Sequence, residues 1–179
     1  MGRYRILTGN IVADEILANH DLIVNPTNPQ MVAGAGVSGE IFKKAGVDTL
    51  EAYTQYHYEI NYFSDDYKLE NIMKVGDIRI TPGFNLGMDI MFVQGPKYWD
   101  YSNPSKVLFE VYSKMLQEAY DKGYQNILLP SLGTGDYGFE HEHIGKGVST
   151  ILSNFTNTHN IVNINVDLVL FDENSKKYY

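Results

Sequence analysis

A glycine-rich segment at residues 131–139, with the sequence S-L-G-T-G-D-Y-G-F, carries the residue types best suited to binding a phosphate. The apolar run 127–129 precedes it, and a segment with helical character follows it. A loop that leaves a strand and opens a helix exposes backbone N–H groups at the positive end of the helix dipole. Gly133, Gly135 and Gly138 have no Cβ atom, so the backbone there can turn sharply and approach a ligand. Considered alone, a glycine-rich loop after a strand is more often a simple turn than a phosphate-binding site.

A second segment of the same kind lies at residues 33–39, with the sequence A-G-A-G-V-S-G. It follows the apolar run 21–25, which ends where Pro26 and Pro29 prevent further ladder hydrogen bonding. It leads into a predicted helix over 40–45, for which Ser38 is a candidate N-cap. Ligands of parallel sheets bind at the carboxyl ends of the strands, so the two loops are predicted to line one crevice.

The elements that position these loops alternate between strand-like and helix-like segments. Strands are predicted at residues 3–8, 21–25, 76–81, 89–93, 126–129 and 161–171. Helices are predicted at residues 40–45, 48–58, 107–119 and 142–155, with one or two helical turns within 11–19. Because the strand-like runs are too apolar to face water, the order predicts a three-layer α/β/α sandwich around a mixed, largely parallel central sheet.

Three features of the chain between these elements are also predicted. Asn103 or Ser105 caps the helix that Gly123 ends. Residues 56–73 show no clear period and are interpreted as a surface excursion, and residues 172–179 as a short polar tail.

Composition and charge limit the classes of function. The 179 residues suit one domain, and their formal net charge of −8 disfavours general nucleic-acid binding, although backbone amides can still hold a small anion. Cysteine is absent, which excludes a disulfide framework and a thiolate site. We recognise no signal peptide and no apolar run near the ~20 residues that span a membrane, so a cytoplasmic protein without membrane attachment is expected.

The segments taken together resemble the macro domain, an ADP-ribose-binding module. The main matches are V-N-P-T-N at 24–28, A-G-A-G-V-S-G-E-I at 33–41 and S-L-G-T-G-D-Y-G-F at 131–139. Shorter matches in the expected order are L-T-G-N-I at 7–11, V-G-D at 75–77, T-P-G-F-N-L at 81–86, F-V-Q-G-P at 92–96 and L-F-D-E at 170–173. The resemblance covers nearly the whole chain and implies a single macro domain over residues 1–179.

The resemblance implies that the protein binds ADP-ribose or an ADP-ribosylated protein in a cleft above the sheet. As in many members, it implies hydrolysis of a mono-ADP-ribosyl ester, either on a protein Asp or Glu or in O-acetyl-ADP-ribose. It implies no metal and no other cofactor, and a monomer is expected. The alternatives are a non-catalytic ADP-ribose-binding module, processing of ADP-ribose-1''-phosphate, and an unrelated α/β nucleotide binder.

The resemblance also implies roles for individual residues. Asn28 matches an asparagine that contacts the terminal ribose and orients the scissile bond, and Tyr137 matches an aromatic residue that packs on that ribose; these are the implied catalytic residues. The implied ligand-binding residues are Asn10, Ile11, Asn25, Gly34, Ala35, Gly36, Val37, Ser38, Ser131, Gly133, Thr134, Gly135, Asp136, Tyr137 and Phe171.

Within that set, the loops 34–37 and 131–137 are expected to hold the diphosphate from two sides. Asn10 and Ile11 are expected to read the adenine. Phe171 is either an adenine-stacking residue or a core residue at a strand end. Asn25 is expected to close the turn beneath the site.

Two positions depart from the family pattern. Asn10 stands where an aspartate usually accepts a hydrogen bond from adenine, and a neutral acceptor makes that bond weaker. Ser38 stands where the hydrolase branch often has an aspartate that activates water, and a serine cannot replace this base. Hydrolysis would then rely on Asn28, on the clamping loops and on the substrate's own phosphate.

Overall fold

In the computed structural model, which describes residues 2–158 and 163–179, a six-stranded sheet lies between two layers of helices. The strands are β1 (Arg3–Thr8), β2 (Leu22–Pro26), β3 (Ile78–Thr81), β4 (Asp89–Val93), β5 (Asn126–Pro130) and β6 (Asn165–Leu170). The helices are α1 (Asp14–Leu17), α2 (Gly36–Ala45), α3 (Val47–His57), α4 (Pro104–Asp121) and α5 (His141–Thr158). Short 3-10 helices cover Leu69–Asn71, Phe84–Leu86, Tyr98–Asp100 and Glu173–Tyr178.

The strand order is β1-β6-β5-β2-β4-β3, and every neighbouring pair is parallel except β3 with β4. The predicted mixed, largely parallel sheet with an antiparallel edge is confirmed. In β2, Leu22 pairs with Ile127 of β5, so the segments that follow these two strands leave the sheet side by side. Of the helices in the described residues, none is long and apolar enough to cross a bilayer.

The sheet separates two apolar cores. Leu129 packs with α4 and α5 on one face, whereas Leu128, the preceding residue of β5, packs with α2 and α3 on the other. Both side chains are fully buried. Strands buried on both faces need continuous apolar runs, which is why the sequence of β5 does not alternate.

Residues close to the two ends of α4 determine where this helix begins and ends. Asn103 is the N-cap, and its Oδ1 accepts a hydrogen bond from Lys106 N at 3.4 Å, while Pro104 occupies the first turn. The helix ends before Gly123, whose φ of +86° favours glycine. Of the two cap candidates, Asn103 is therefore correct and Ser105 is not.

The start of α2 differs from the prediction. The helix begins at Gly36 with Ala35 as its N-cap, and Ser38 is a buried residue inside the first turn. The prediction that Ser38 caps the helix is wrong, because the chain enters helical geometry two residues before the serine.

The segment 56–73 and the region after β6 also differ in part from the predictions. Ile60 and Met73 are buried, so the excursion is anchored in the core rather than lying wholly on the surface. The strand predicted at 161–171 is β6 at 165–170; it is buried on both faces, and residues 161–162 lie outside the described residues. The predicted tail folds as a 3-10 helix.

A buried ion cluster joins the edge strand β1 to β6. The carboxylate of Asp167 is 2% exposed and accepts hydrogen bonds from Arg5 Nε at 2.9 Å and Nη2 at 2.8 Å, and His20 Nε2 lies 2.8 Å from the same group. Burial alone would raise the pKa of Asp167, but the hydrogen bonds from Arg5 and His20 hold that pKa well below its usual range.

The substitution Asp167→Asn is expected to lower the free energy of unfolding at pH 7 by about 3 kcal/mol, because it removes the charge that pairs with Arg5 and His20. The folded pKa of Asp167 lies below its unfolded value, so the stabilisation is present at neutral pH and is lost as the pH falls below about 4. The free energy of unfolding of the Asp167→Asn variant should therefore not show this loss at low pH.

Urea unfolding of both proteins at pH 7, 5 and 3 measures the effect. Asp14→Asn is the matched control, since Asp14 is an exposed carboxylate that pairs with Lys44 at the surface, and it should leave the unfolding curve nearly unchanged. Equal stability of Asp167→Asn and the unsubstituted protein at pH 7 would show that the cluster does not stabilise the fold.

Candidate functional site

The two glycine-rich loops follow neighbouring parallel strands, the loop 27–35 after β2 and the loop 131–140 after β5, and we call the space between them the crevice. Gly34, Ala35 and Gly36 are exposed at the start of α2, so their backbone N–H groups face solvent at the positive end of a ten-residue helix. This is the arrangement predicted for the glycine-rich segment 33–39, and it offers an anion several donors without a side-chain charge.

Asn28 closes the first loop. Its Nδ2 donates to Val32 O at 2.9 Å, and its Oδ1 accepts from Val32 N at 3.1 Å. Asn25, expected to close this turn, is instead fully buried and makes no described side-chain hydrogen bond. Asn28 therefore both shapes the loop and lies at its rim, half-buried.

Glycine is required where the first loop meets α2. The carbonyl oxygen of Gly34 occupies the position that a Cβ on Gly39 would need. A Cβ on Gly34 would lie 3.3 Å from Nδ2 of Asn28, which is a tight contact. The two missing side chains thus let the helix start pack directly on the loop.

The helix α3 supports the first loop from below. Side chains of α3 make three hydrogen bonds of 2.7–2.9 Å to the backbone of the loop. These bonds join Glu51 to Ala33, Thr54 to Met31 and Gln55 to Gln30. The loop is therefore held rigidly before any ligand arrives.

The second loop is shaped by its own backbone and by α4. Phe139 N donates to Gly133 O at 2.9 Å, and Leu132 N donates to the hydroxyl of Tyr112 at 2.7 Å. Gly133 has a φ of +82°, and a Cβ there would lie 2.7 Å from the ring of Phe139. Burial raises the pKa of Tyr112 far above its usual range, so this hydroxyl stays protonated.

Gln94, which the sequence alone did not single out, holds Tyr137 in place. Its side chain is 4% exposed, and Nε2 donates to the hydroxyl of Tyr137 at 3.0 Å. Tyr98 N donates to Tyr137 O at 2.8 Å, and Lys97 Nζ lies 5.6 Å from the centre of the Tyr137 ring. The segment after β4 therefore contacts Tyr137 at its hydroxyl, its backbone and its ring.

Several buried polar atoms around the crevice have no hydrogen-bond partner among the described residues. They are both amide atoms of Asn25, the hydroxyl of Ser38 and Oε1 of Gln94. An unsatisfied buried polar group costs about 1–3 kcal/mol, and a native structure concentrates such groups where a ligand, a water molecule or chemistry accounts for them. These atoms lie at the ends of β2 and β4 and in the first turn of α2.

The residues expected to read adenine lie together at another part of the crevice. Gly9 N donates to Leu170 O at 2.9 Å, which brings the loop at Asn10 and Ile11 beside Phe171. The side chain of Phe171 is 88% exposed, so the alternative that it is a core residue is wrong. Oδ1 of Asn10 accepts from Val12 N at 3.1 Å and retains a second lone pair.

The hydroxyl of Ser131 is already used within the protein. Ser131 Oγ lies 2.6 Å from the hydroxyl of Tyr179, which lies 2.7 Å from Nδ1 of His141. Burial raises the pKa of Tyr179 to about 12 and lowers the pKa of His141. A neutral imidazole can therefore accept a hydrogen bond from the tyrosine hydroxyl. The predicted polar tail thus helps to hold the second loop.

The other predicted residues of this loop are accessible. Gly135 and Asp136 are exposed, and Thr134 is half-buried with its hydroxyl donating to Ser131 O at 3.2 Å. Val37 is half-buried beside the exposed start of α2. The structure therefore gathers the predicted residues at one edge of the sheet, but the side chains of Ile11, Asn25 and Ser38 are buried there.

A separate hollow of about 620 Å³ lies along β1 and α1, away from both glycine-rich loops. Arg3, Arg5 and Asn126 line it, and the ion cluster of Asp167 is part of its wall. We assign the chemistry to the crevice between the loops, because the exposed helix start and the unpartnered polar atoms are there.

Comparisons with known proteins agree with this geometry. The family model for the Macro domain matches residues 24–146. A Macro domain-containing protein of Methanosarcina mazei is 31% identical over 152 residues, which cover 83% of this chain and 72% of the relative. An O-acetyl-ADP-ribose deacetylase of Escherichia fergusonii is 27% identical over 179 residues, which cover 99% of this chain and 93% of the relative.

The fold also matches solved structures. A mutant of the Oceanobacillus iheyensis macrodomain with ADPR has a TM-score of 0.79 and 26% identity, covering 97% of this chain and 88% of that one. The same macrodomain with ADP has a TM-score of 0.78 and 26% identity, covering 97% and 86%.

The substitution Gln94→Leu tests whether Gln94 positions Tyr137. It keeps the side-chain volume but removes the hydrogen bond to the tyrosine hydroxyl, so the loop 131–139 should open more often. Amide hydrogen exchange in that loop is expected to accelerate about fivefold, corresponding to a bond of about 1 kcal/mol.

Gln117→Leu, on the outer face of α4, is the matched control, since the exposed side chain of Gln117 donates a hydrogen bond to the exposed Asp121. Exchange that is equally fast in the loop of both variants would contradict the role of Gln94.

Proposed function

The chain belongs to the macro domain family, and we propose that it binds ADP-ribose in the crevice and hydrolyses a mono-ADP-ribosyl ester. The observation that carries the proposal is the departure of two glycine-rich loops, side by side, from the parallel pair β2 and β5. The exposed backbone amides at the start of α2 lie in the first of these loops. This is a site for a diphosphate that needs no lysine or arginine.

The relatives support the same ligand. The Escherichia fergusonii protein is named for deacetylation of O-acetyl-ADP-ribose, and the Oceanobacillus iheyensis macrodomain was solved with ADPR. Both matches extend over nearly the whole of this chain, so they include both loops.

The diphosphate would lie between the two loops. The N–H groups of Gly34, Ala35 and Gly36 face it from one side, with the dipole of α2 behind them. The exposed turn at Gly135 and Asp136 closes from the other side. Adenine would lie against Phe171, where the exposed ring can stack on it, with Asn10 and Ile11 contacting its edge.

Asn28 and Tyr137 would contact the terminal ribose. The carboxamide of Asn28 donates one hydrogen bond to Val32 and accepts one from it. One N–H donor and one lone pair of the carboxamide remain for ribose hydroxyls. Tyr137 is held from three directions, so its ring offers a fixed surface to the sugar. Such prior ordering lowers the entropy lost when the substrate is aligned for reaction.

The ester bond would be cut by water. The water oxygen bonds to the ester carbonyl carbon, the bond from that carbon to the ribose oxygen breaks, and the ribose oxygen takes up a proton. The products are a free ribose hydroxyl and a carboxylic acid. Ser38 is buried and its hydroxyl has no hydrogen-bond partner in residues 2–158 and 163–179, so we infer that a phosphate oxygen of the substrate takes the proton from the water.

A non-catalytic ADP-ribose-binding module is the second candidate function. The specific observation in its favour is Ser38, because a serine hydroxyl at this position supplies no base. Both candidates use the same crevice and the same ligand, and they differ only in whether bound ester is turned over.

For the setting of this activity we propose a monomer in the cytoplasm that acts on ADP-ribose or on ADP-ribosylated protein. The net charge of −8 supports the expectation that nucleic acid is not a general partner.

Calorimetric titration with ADP-ribose, ADP and AMP tests the proposal. ADP-ribose is expected to bind at least tenfold more tightly than AMP, because only ADP-ribose reaches Asn28 and Tyr137 as well as the adenine end. Binding of another nucleotide together with no binding of ADP-ribose would overturn the assignment.

The substitution Asn28→Ala separates the two candidates. If the protein is an enzyme, Asn28→Ala should lower the turnover of O-acetyl-ADP-ribose and of a protein Asp or Glu ester about 100-fold. The affinity for ADP-ribose should change less than tenfold, because alignment by Asn28 stabilises the transition state more than the bound ground state. Asn157→Ala on the exposed surface of α5 is the matched control. Binding without any turnover by the unsubstituted protein would leave the binding module as the function.

A further inference from the structure

An aromatic segment packs against the outside of the second loop. It comprises Tyr98, Trp99 and Tyr101, and we call it the aromatic rim. The ring of Tyr98 meets that of Phe139 edge to face, with centroids 5.5 Å apart. The rim therefore lies directly beside the turn that carries Tyr137.

Trp99 lies on the backbone of Gly138. A Cβ on Gly138 would be only 2.8 Å from Cζ3 of the indole, and Gly138 has a φ of +87°. Glycine at this position therefore does more than permit a turn, because it makes room for the tryptophan to lie on the loop. The rim and the loop form one continuous surface.

The rim is exposed although it is strongly apolar. Trp99, the single tryptophan of the chain, is 61% exposed, and Tyr98 and Tyr101 are 45% and 37% exposed. Isolated exposed apolar residues are ordinary, whereas exposed apolar side chains that cluster, as these three do within residues 98–101, are typical of an interaction surface. Tryptophan and tyrosine are also the residues that most often dominate the energy of protein interfaces.

Charged residues of both signs lie near the rim, including the exposed Asp136 in the turn before Tyr137. Asp100 lies in the same 3-10 helix, and Lys97 precedes it with Nζ near the ring of Tyr137. Lys97 thus places a positive charge between the rim and the crevice, in a chain whose net charge is −8. A carboxylate that leaves the crevice toward the rim would meet this charge first.

We propose that the aromatic rim docks the polypeptide part of an ADP-ribosylated protein, so that the preferred substrate is a protein ester rather than O-acetyl-ADP-ribose. The inference rests on the proposed function, which places the terminal ribose at Tyr137. The acetyl group of O-acetyl-ADP-ribose has only one methyl group beyond the ester carbonyl, so it makes no contact with the rim. A polypeptide continues beyond the ester and reaches Trp99, which lies on the adjoining Gly138.

The test compares two dissociation constants in the Asn28→Ala background, where substrate is held without rapid cleavage. One is for free ADP-ribose and the other for a protein carrying ADP-ribose on a glutamate. The modified protein is expected to bind about tenfold more tightly than free ADP-ribose. Adding Trp99→Ala should bring the two constants to within about twofold of each other without weakening free ADP-ribose.

Tyr101→Ala is the second rim variant, because Tyr101 lies two residues beyond Trp99 and its removal leaves the contact with Gly138 in place. It should reduce the preference for the modified protein by a smaller factor. Phe63→Ala is the matched control, since Phe63 is 68% exposed in the excursion 56–73 and belongs to neither the rim nor the two loops, and it should change neither constant.

The outcomes separate this inference from the proposed function. Absence of ADP-ribose binding would overturn the proposed function itself. Binding of ADP-ribose with no preference for the modified protein, or an equal loss for both ligands on Trp99→Ala, would overturn only the role of the rim, because the tryptophan would then act by supporting the loop.

Discussion

Parallel pairing between β2 and β5 is the constraint on which the site depends. A parallel pair places two carboxyl ends at one edge of the sheet, and the chain must leave both ends through a helix. Here α2 covers one face and α5 covers the other, as their buried residues Phe42 and Val148 show. The crevice opens where the connections part to opposite faces, and the glycine-rich loops fill the two sides of that opening.

Local patterns predicted the elements that build this edge. β1 is found at the predicted residues, β2 is shifted by one residue at each end and β5 is one residue longer, because apolar runs bounded by turn residues identify strands without reference to the rest of the chain. Local patterns also predicted α4, because Asn103 and Gly123 determine its two ends through the backbone of residues close to them in the sequence. The positions of both loops then follow from the rule for parallel sheets.

Contacts between distant residues could not be predicted in this way. Gln94 and Tyr137 are 43 positions apart, and Ser131 and Tyr179 are 48 apart, so no local period connects them. The same limit applies to the bounds of the strand predicted at 161–171. That region contains β6, which lies between β1 and β5 with helices on both faces, and its inner position is decided by pairing rather than by its own sequence.

Ser38 shows how the stability of the fold and the chemistry of the site constrain each other. Its side chain is 6% exposed, and an ionised carboxylate buried there would cost several kcal/mol unless a cation paired with it. Serine avoids that cost, but it leaves the site without a base. In the proposed hydrolysis, rate acceleration would then come from alignment, for which the bonds of Asn28 to Val32 and the three contacts that hold Tyr137 supply fixed positions.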